Sequence, residues 1–469
     1  MSVINTIALK LKSNVIDNGF CVGCGACAYG NNPSFIIKKN DLGYYYADLV
    51  DIESMRRDDF NKICPFSNDS LNENEISKGV FSKYSDIQQN QFIGYYLKNY
   101  AGYVRDKELR GKGSSGGFGT WIAMKMLENK LVDAIIHVKA STSDELFEYS
   151  ISTTNSEILE GSKSKYYPIH MAEVLNFVTS NDLRYAIFGL PCFIKAIRLL
   201  QIQNSTIKDR IKYTIGLVCG HLKSDMFAKA MALELGYNPN NIKSIDFRVK
   251  NSYGLSSDYS VNIIVNENDG VIHESTVESK KLYSTNWGYG FFKYKACDYC
   301  DDVLSETADL TIGDAWLPKY KFDPQGTNLL VVRDPQLMKL IDDNINELYL
   351  EELSTDQVYQ TQAGGFRHKR DGLSYRLMLS NDNEYKPVKR VQPSLKNISN
   401  KRKKLYESRM RITRLSDILI KEAVEKNDFL VFRDGIKNEI KKYEKLVSKG
   451  FINKTIKKMI RYILKVTGR

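Results

Sequence analysis

The chain has 469 residues, of which 42% are hydrophobic, so it is long enough for two or three domains with buried cores. No apolar run approaches the ~20 residues that span a bilayer, and the N-terminus lacks the continuous apolar segment of a secretion signal. The net charge of +11 is concentrated at one end, since residues 401–469 carry +13 and residues 1–400 carry −2. We therefore expect a cytoplasmic protein whose basic tail meets an anionic surface.

Three regions follow from the composition. Residues 1–85 hold four cysteines and predict a small ferredoxin-like iron–sulfur module. Residues 86–395 alternate short apolar strands with helical stretches, which favours an α/β, or mixed α+β, catalytic body. Residues 396–469 predict a basic helical tail.

Local patterns predict individual elements within these regions. The segment 35–46 predicts two strands joined by a turn, and the polar segment 69–83 predicts a linker. Asp434-Gly435 and Lys449-Gly450 predict breaks in the helical tail. Further strands are predicted at 134–138, 185–188, 215–218 and 329–332, and helices at 117–129 and 192–201.

The first cysteine group comprises Cys21, Cys24, Cys27 and the distant Cys64. A C-x2-C-x2-C run followed by a remote Cys-Pro is the ligand pattern of a bacterial ferredoxin cluster. Because no fourth cysteine follows the run directly, Cys64 is the candidate fourth ligand. Zinc or inert buried cysteines are the alternatives, although zinc sites usually use cysteine pairs.

The second cysteine group is dispersed along the chain. Cys192 and Cys219 each follow a strand-like run, and Cys297 and Cys300 form a C-x2-C pair. Two strand ends and a paired turn can supply the four thiolates of a 4Fe-4S cluster, but the spacing leaves it equally open that the two single cysteines are ordinary buried residues. None of the five histidines forms a His-Glu-x-x-His pair, so no zinc catalysis is expected, and His221 is expected to be a polar neighbour of the site.

A Gly/Ser loop formed by Ser114, Ser115, Gly116 and Gly117 precedes an apolar helical stretch. Backbone N–H groups at the positive end of a helix can bind a nucleotide phosphate. The loop is not a Walker motif, because no Gly-Lys-Ser/Thr closes it. A tight turn with a helix cap is the alternative.

The order of these motifs resembles the coenzyme F420 hydrogenase/dehydrogenase beta-subunit family. After the cysteine-rich head come, in order, Ile93-Gly94-Tyr95-Tyr96, Ser114–Gly117, Lys163–Tyr166, Gly189–Cys192, Gly216–Cys219, Phe247–Lys250, Cys297–Cys300 and Ala308–Trp316. The resemblance implies ferredoxin-type cluster binding in the head and a 4Fe-4S cluster beside an FAD in the body, which makes two clusters in this chain. It also implies flavin phosphate binding at Ser114–Gly117 and a place near the flavin for Lys165 and Tyr166, and it makes the second cysteine group an expected cluster.

Three departures from the family pattern bear on the activity. The head holds cysteines for one cluster where many relatives hold two. Phe193 stands where Gln commonly follows Pro-Cys, and Ala296 stands where Arg commonly precedes the cysteine pair, which puts deazaflavin use in doubt.

The working hypothesis is a flavin-dependent iron–sulfur oxidoreductase. It would take electrons from ferredoxin or another redox partner and reduce a sugar-linked intermediate in surface-polysaccharide biosynthesis, as the bacterial branch of the family implies. One alternative is an electron-transfer subunit, linked to coenzyme F420 or ferredoxin, with no substrate of its own. The other is a non-enzymatic scaffold of a polysaccharide assembly complex.

Residues 451–467 predict an amphipathic helix. Its apolar face includes Ile452, Ile456 and Ile460, and its opposite face includes Lys454 and Lys458. The helix either lies on an anionic inner-membrane surface or packs on the protein's own body. Nucleic acid is not an expected partner, because the apolar face would have no role in binding it.

Overall fold

The computed structural model describes residues 3–50, 57–267, 270–379, 384–387 and 390–448. The strands are β1 (Phe35–Lys39), β2 (Tyr45–Leu49), β3 (Gln88–Asn90), β4 (Gly94–Tyr96), β5 (Lys98–Val104), β6 (Ala134–Ala140), β7 (Phe147–Ser152), β8 (Tyr185–Gly189), β9 (Ile211–Leu217), β10 (Ile242–Val249), β11 (Ser260–Asn266), β12 (Ile272–Glu278), β13 (Leu310–Asp314), β14 (Asn328–Val332) and β15 (Leu348–Glu352). The helices are α1 (Val3–Leu11), α2 (Phe60–Ile63), α3 (Glu73–Phe81), α4 (Lys107–Lys112), α5 (Phe118–Glu128), α6 (Asn155–Glu160), α7 (Ala172–Ser180), α8 (Pro191–Gln203), α9 (Ser205–Arg210), α10 (Met226–Glu234), α11 (Pro335–Asp343), α12 (Thr355–Thr361), α13 (Ala363–Phe366), α14 (Gly372–Leu379), α15 (Asn400–Glu425) and α16 (Phe429–Val447).

An eight-stranded mixed sheet lies at the centre, in the order β15-β5-β14-β13-β9-β8-β6-β7. Neighbours among β13, β9, β8 and β6 pair in parallel, and the flanking strands pair antiparallel. Tyr185, Ala186 and Ile187 of β8 are fully buried, as expected for a strand covered on both faces. The carboxyl ends of the four parallel strands share one edge, which is where open α/β sheets place their ligand sites.

The cysteine-rich head packs directly on the body. Phe20 and Phe35 of the head share one hydrophobic core with Ile187 of β8 and Leu199 of α8. The hairpin β1-β2 and the three-stranded sheet β10-β11-β12 lie outside the central sheet. The loops that carry the first cysteine group are therefore held against the same core as the strand ends of the second.

The mixed α/β fold class and the helical C-terminal region are confirmed. The predicted strands of the head and body appear as β1, β2, β6, β8, β9 and β14, and the predicted helices appear as α5 and α8. No helix within the described ranges is long and apolar enough to cross a membrane. The boundaries at 85 and 395 stay predictions.

Two local predictions are wrong. The segment predicted as a linker contains α3, because Asn72 and Glu75 form a capping box and Ile76 and Phe81 are buried. No break occurs at Gly435, since α16 runs through it. The predicted break at Lys449-Gly450 and the amphipathic helix at 451–467 lie outside the described residues.

Candidate functional site

Two glycines shape the loop that carries the first three cysteines. Gly23 and Gly25 adopt φ of +62° and +86°, in the left-handed region that favours glycine. A Cβ on Gly23 would lie 2.4 Å from Cβ of Tyr45, and a Cβ on Gly25 would lie 2.7 Å from the backbone N of Ala172. The loop is therefore pressed against β2 and the start of α7, which turns its cysteines inward.

The structure brings the four thiols of the first group around one cavity. Cys21, Cys24, Cys27 and Cys64 all line a space of about 410 Å³ that is partly open to solvent. The backbone N–H groups of Gly23 and Ala47 donate to Cys21 Sγ at 3.4 Å and 3.3 Å. Apart from the cysteines the lining residues are apolar: Leu11, Val15, Ile16, Val22, Gly25, Ala26, Ile37, Ala47, Ile63, Pro65 and Phe66.

The second group assembles at the carboxyl edge of the parallel strands. Cys192 lies in the first turn of α8, directly after β8, and Cys219 follows β9. Cys297 lies in the short helical turn Lys295–Tyr299, and Cys300 ends it. The N–H of Leu222 donates to Cys297 Sγ at 3.2 Å, which ties the chain after β9 to that turn.

Burial and mutual proximity raise the pKa values of Cys192, Cys219 and Cys297. Burial, then the neighbouring Cys300, Cys219 and Cys297, hold the pKa of Cys192 well above its ordinary value. Burial raises the pKa of Cys219 to about 11 and that of Cys297 to about 12. Such thiols stay protonated at neutral pH unless a metal displaces the proton, so they are poor nucleophiles.

The two cysteine groups are neighbours. Cys24 of the first group is among the residues that raise the pKa of Cys192. A second, small cavity is lined by Pro65 and Phe66 next to the first group and by Cys192 and Cys300 of the second. No disulfide joins any of the eight cysteines, all of which lie in the described part of the chain.

Each donor set is the one that a 4Fe-4S cluster uses, four cysteine thiols in a shielded site with N–H donors to sulfur. Within the described ranges, no group of three or more histidine, cysteine or acidic side chains is arranged to hold a single metal ion. The residues present, four thiols with a backbone N–H donor to sulfur in each group, match the donors of the cluster that the sequence predicts.

A buried lysine contacts the second group. Lys369 Nζ lies 3.3 Å from Cys300 Sγ and donates to the Asp302 carbonyl oxygen at 2.6 Å. Burial alone would lower the pKa of this lysine, but Cys300, Cys219 and Cys297 together raise it above its ordinary value. The sequence gives no motif that identifies Lys369, because it lies far along the chain from every cysteine.

The Gly/Ser loop is more deeply packed than its sequence suggests. Ser115, Gly116 and Gly117 are buried, and a Cβ on Gly116 would lie 2.6 Å from the Gly102 carbonyl oxygen. The N–H of Phe118, at the start of α5, donates to Asn328 Oδ1 at 3.1 Å. Part of this loop therefore packs against the core and the start of α5. Among the four residues predicted to bind a phosphate, Ser114 is the most accessible to solvent.

The structure brings the Gly/Ser loop to the predicted Lys165-Tyr166 segment. Ser114 Oγ accepts a hydrogen bond of 2.8 Å from the N–H of Ser164. Lys165 Nζ donates to the carbonyl oxygens of Gly161 and Ser162 at 2.5 Å each, and burial lowers its pKa to about 7. The Lys165 side chain therefore stabilises the turn that directly precedes it.

Tyr166 lies in an aromatic cluster that reaches the second cysteine group. Its ring centroid lies 5.5 Å from that of Phe247 and 5.0 Å from that of Trp287. The Trp287 ring in turn stacks on His221 at 4.2 Å, two residues after Cys219. Burial, reinforced by Lys223, holds the pKa of His221 well below its ordinary value, so this imidazole is neutral.

Two further motif residues join this region. Lys250 Nζ donates to the carbonyl oxygens of Arg110 and Ser115 at 2.5 Å and 2.7 Å, and Arg248 binds Asp314 at 2.8 Å. Burial, with Arg110 nearby, lowers the pKa of Lys250 to about 7. Arg248 and Lys250 belong to the motif Phe247–Lys250, and Asp314 belongs to the motif Ala308–Trp316. These two motifs were the sequence signal that could have pointed to the contacts in this region.

Two family models match the chain. Residues 99–176 match the N-terminal domain, and residues 182–358 the C-terminal domain, of the coenzyme F420 hydrogenase/dehydrogenase beta subunit. Together they cover more than half of the sequence. The chain belongs to this family. The matched segments include the Gly/Ser loop and the second cysteine group, and they leave the first group, Cys21 to Cys64, outside.

Curated relatives agree with this assignment. Coenzyme F420 hydrogenase subunit beta of Methanococcus voltae is 24% identical over 271 residues, which are 57% of this chain and 87% of the relative. F420-dependent formate dehydrogenase subunit beta of Methanocaldococcus jannaschii is 24% identical over 212 residues, 45% of this chain and 51% of that one. A chain in the solved F420-reducing NiFe hydrogenase complex of Methanosarcina barkeri is 16% identical with a TM-score of 0.48, covering 63% of this chain and 97% of its own.

Proposed function

We propose that this chain is an electron-transfer oxidoreductase that carries two 4Fe-4S clusters. One is held by Cys21, Cys24, Cys27 and Cys64, and the other by Cys192, Cys219, Cys297 and Cys300. The observation that supports this proposal is that the eight cysteines gather in two neighbouring groups of four. A cluster at each group would supply one-electron steps.

The chain's own residues prepare these sites. The apolar wall of the first group limits its contact with water, and the N–H groups of Gly23 and Ala47 stabilise negative charge on Cys21 Sγ. At the second group, the N–H of Leu222 and the ammonium of Lys369 do the same for Cys297 and Cys300. Short spacing between the groups supports electron transfer from one to the other.

FAD is the proposed two-electron partner of the clusters. Its phosphates would bind beside Ser114–Gly117, where Lys165 and Lys250 lie close to the loop. Burial lowers the pKa of both lysines to about 7, and a bound phosphate would favour their charged forms. The aromatic cluster from Tyr166 through Trp287 to His221 supports a place for the flavin ring near Cys219. When bound, FAD would exchange single electrons with the clusters and pairs of electrons with a substrate.

In the first form of this proposal, the chain is an electron-transfer subunit that has no substrate of its own. This form is supported by the relatives, which are named as subunits of a hydrogenase and a formate dehydrogenase. Ferredoxin, or another one-electron carrier, would be the redox partner. Phe193 and Ala296, the two departures from the family pattern that put deazaflavin use in doubt, are both buried in the core.

Reduction of a sugar-linked intermediate in surface-polysaccharide biosynthesis is the second form. The observation that favours it is the basic segment 401–469, with a net charge of +13, which suits work at the inner membrane face. No substrate-contacting residue is assigned, and the first form needs none.

Rapid mixing with reduced ferredoxin tests the relay. We expect bleaching of the cluster absorbance followed by flavin reduction in anaerobically purified protein. Flavin-free protein whose clusters cannot be reduced would support the scaffold alternative and contradict the proposal. Turnover of a sugar-linked compound by the isolated chain would favour the second form.

A further inference from the structure

The fourth candidate ligand of the first cysteine group is held separately from the other three. Those three share the loop Cys21–Cys27, whereas Cys64 directly follows α2, at the C-terminal end of that helix. Its N–H donates to the Phe60 carbonyl oxygen at 3.2 Å, and its own carbonyl oxygen accepts from the N–H of Ser67 at 3.1 Å. The place of the Cys64 thiol therefore depends on how this turn, residues 64–67, is held against the rest of the molecule.

A residue that lies 319 positions along the chain from Phe66 binds this turn. The Tyr385 hydroxyl donates to the Phe66 carbonyl oxygen at 2.8 Å and accepts from the N–H of Asn68 at 3.1 Å. Beside it, Asn68 Nδ2 donates to the Lys386 carbonyl oxygen at 3.1 Å. Burial raises the pKa of Tyr385, and the nearby Cys64 raises it further, so the hydroxyl lies close to the thiol as well as to the turn.

The same part of the chain is anchored beside the second cysteine group. Arg390 binds Glu306 at 2.5 Å and Asp301 at 3.3 Å, and it donates to Asn74 Oδ1 of α3 at 2.8 Å. The Arg390 side chain is 8% exposed, and buried ion pairs with several hydrogen bonds fix their partners in place. Since Asp301 directly follows Cys300, this anchor lies between the head and the second group.

Residues 384–387 and Arg390, which we call the clip, therefore contact both the head and the body. The ring centroid of Tyr385 lies 5.9 Å from that of Phe20, which directly precedes Cys21. The clip and the first cysteine group both lie outside residues 99–176 and 182–358, which match the family models. The contact between them is therefore a feature of this chain that those two matches do not describe.

Tyr385 acts on Cys64 through the backbone of the turn, since its hydroxyl binds Phe66 and Asn68. Neighbours that orient a metal ligand change metal affinity by about 10- to 100-fold when they are removed. We propose that Tyr385 is a positioning residue that keeps the Cys64 thiol at the fourth corner of the first cluster. The inference rests on the proposed function, since it requires a cluster at the first group.

Oxidation by ferricyanide measures how firmly that corner is held. Ferricyanide takes one electron from a 4Fe-4S cluster and becomes ferrocyanide, after which one iron leaves as Fe²⁺ and a 3Fe-4S cluster remains. The bond that breaks joins the departing iron to its thiolate. Because Cys64 is held apart from the other three ligands, its iron should leave first. The 3Fe-4S product has an EPR signal that the starting cluster lacks, so the rate of conversion can be followed.

Tyr385→Phe removes the hydroxyl and keeps the ring. In anaerobically purified full-length protein, this variant should convert the first cluster about tenfold faster than the unmodified protein does. Tyr237→Phe is the matched control, because it also removes a hydroxyl that makes a hydrogen bond, of 2.7 Å to Ser275 Oγ on β12. It should convert at the unmodified rate, since Tyr237 and β12 lie outside the core that holds the cysteines.

Two cysteine variants show which cluster responds. Cys300→Ala should keep the first cluster and Cys21→Ala the second, so Tyr385→Phe should speed conversion in the former and leave the latter unchanged. An unchanged rate in the former, or equal acceleration in both, would overturn the inference, the second result because it shows general loosening of the protein. Unmodified protein that holds two clusters would keep the proposed function in either case, whereas unmodified protein without any cluster would overturn both.

Discussion

Gly116 cannot accept a side chain without local rearrangement, because a Cβ there would lie 2.6 Å from the Gly102 carbonyl oxygen and 2.8 Å from Asn328 Oδ1. A bulky acidic substitution at Gly116 would therefore disturb the packing of α5 as well as any flavin. Ser114 is a better probe of phosphate binding, since it is only partly buried and its Oγ faces the N–H of Ser164.

Ser114→Asp should weaken FAD binding by about tenfold or more, because it places a negative charge where a phosphate is proposed to bind. Flavin and iron contents of the purified variant are the measurement, and iron should not change. Gly111→Asp is the matched control, since its Cβ would meet no atom within 4 Å. Unchanged flavin affinity in Ser114→Asp would leave the loop as a turn and a helix cap.

Individual residues were predictable where their chemistry fixes their spacing. The spacing of the first cysteine group predicts a cluster, whereas the second group was predicted only through the resemblance to the family, because its own spacing leaves ordinary buried cysteines equally open. Lys369 and Trp287 have no such spacing, and each becomes visible only when the chain brings it to Cys300 or to His221. The packing role of Gly116 was equally hidden, because it depends on β5 and β14.

The carboxyl group of Asp417 joins helix α15 to the cysteine-rich head. Asp417 Oδ1 lies 2.8 Å from the hydroxyl of Tyr44, just before β2. Burial raises the pKa of Asp417 to about 7, against about 3.9 for an exposed aspartate. Between these values the folded protein keeps a proton that the unfolded chain loses, so stability falls as the pH rises from about 4 to about 7.

Asp417→Asn should remove this contribution, which is at most about 4 kcal/mol for a shift of this size. Anaerobic thermal unfolding at pH 5 and pH 8 is the measurement. The melting temperature of the variant should fall less between the two than that of the unmodified protein. Asp182→Asn, at a side chain that is 99% exposed, should behave like the unmodified protein. Equal pH dependence in Asp417→Asn and the parent would show that Asp417 is ionised at neutral pH.

Four of the strands that the sequence predicted correctly, β6, β8, β9 and β14, lie in the central sheet. A continuous apolar run such as β8 is stable only as a strand that is buried on both faces, so its composition alone predicts a buried strand. Helix α3 was missed because its polar composition suggests a linker, while its capping box fixes a helix start. Gly435 suggests a break, yet a Cβ there would lie 2.8 Å from Leu419 Cδ2, so the glycine permits the close approach of α15 and α16.

The basic tail bears on where the whole molecule is located. The sequence predicts that residues 451–467 form an amphipathic helix, and this stays a prediction because they lie outside the described ranges. Deletion of residues 451–469 should abolish co-sedimentation with anionic vesicles at low salt and leave iron content unchanged, since each basic residue near such a surface contributes ~1 kcal/mol. If the full-length protein does not bind these vesicles, or if the deletion variant loses its iron, the segment packs on the protein's own body instead.

Iron, acid-labile sulfide and zinc analysis of anaerobically purified full-length protein tests the central claim most directly. Two complete cysteine quartets predict about eight iron and eight sulfide per chain, and no stoichiometric zinc. About four of each would show that the chain holds one cluster rather than two. The variants Cys64→Ala and Cys300→Ala would then show which cysteine group holds it. Stoichiometric zinc without iron would contradict the account.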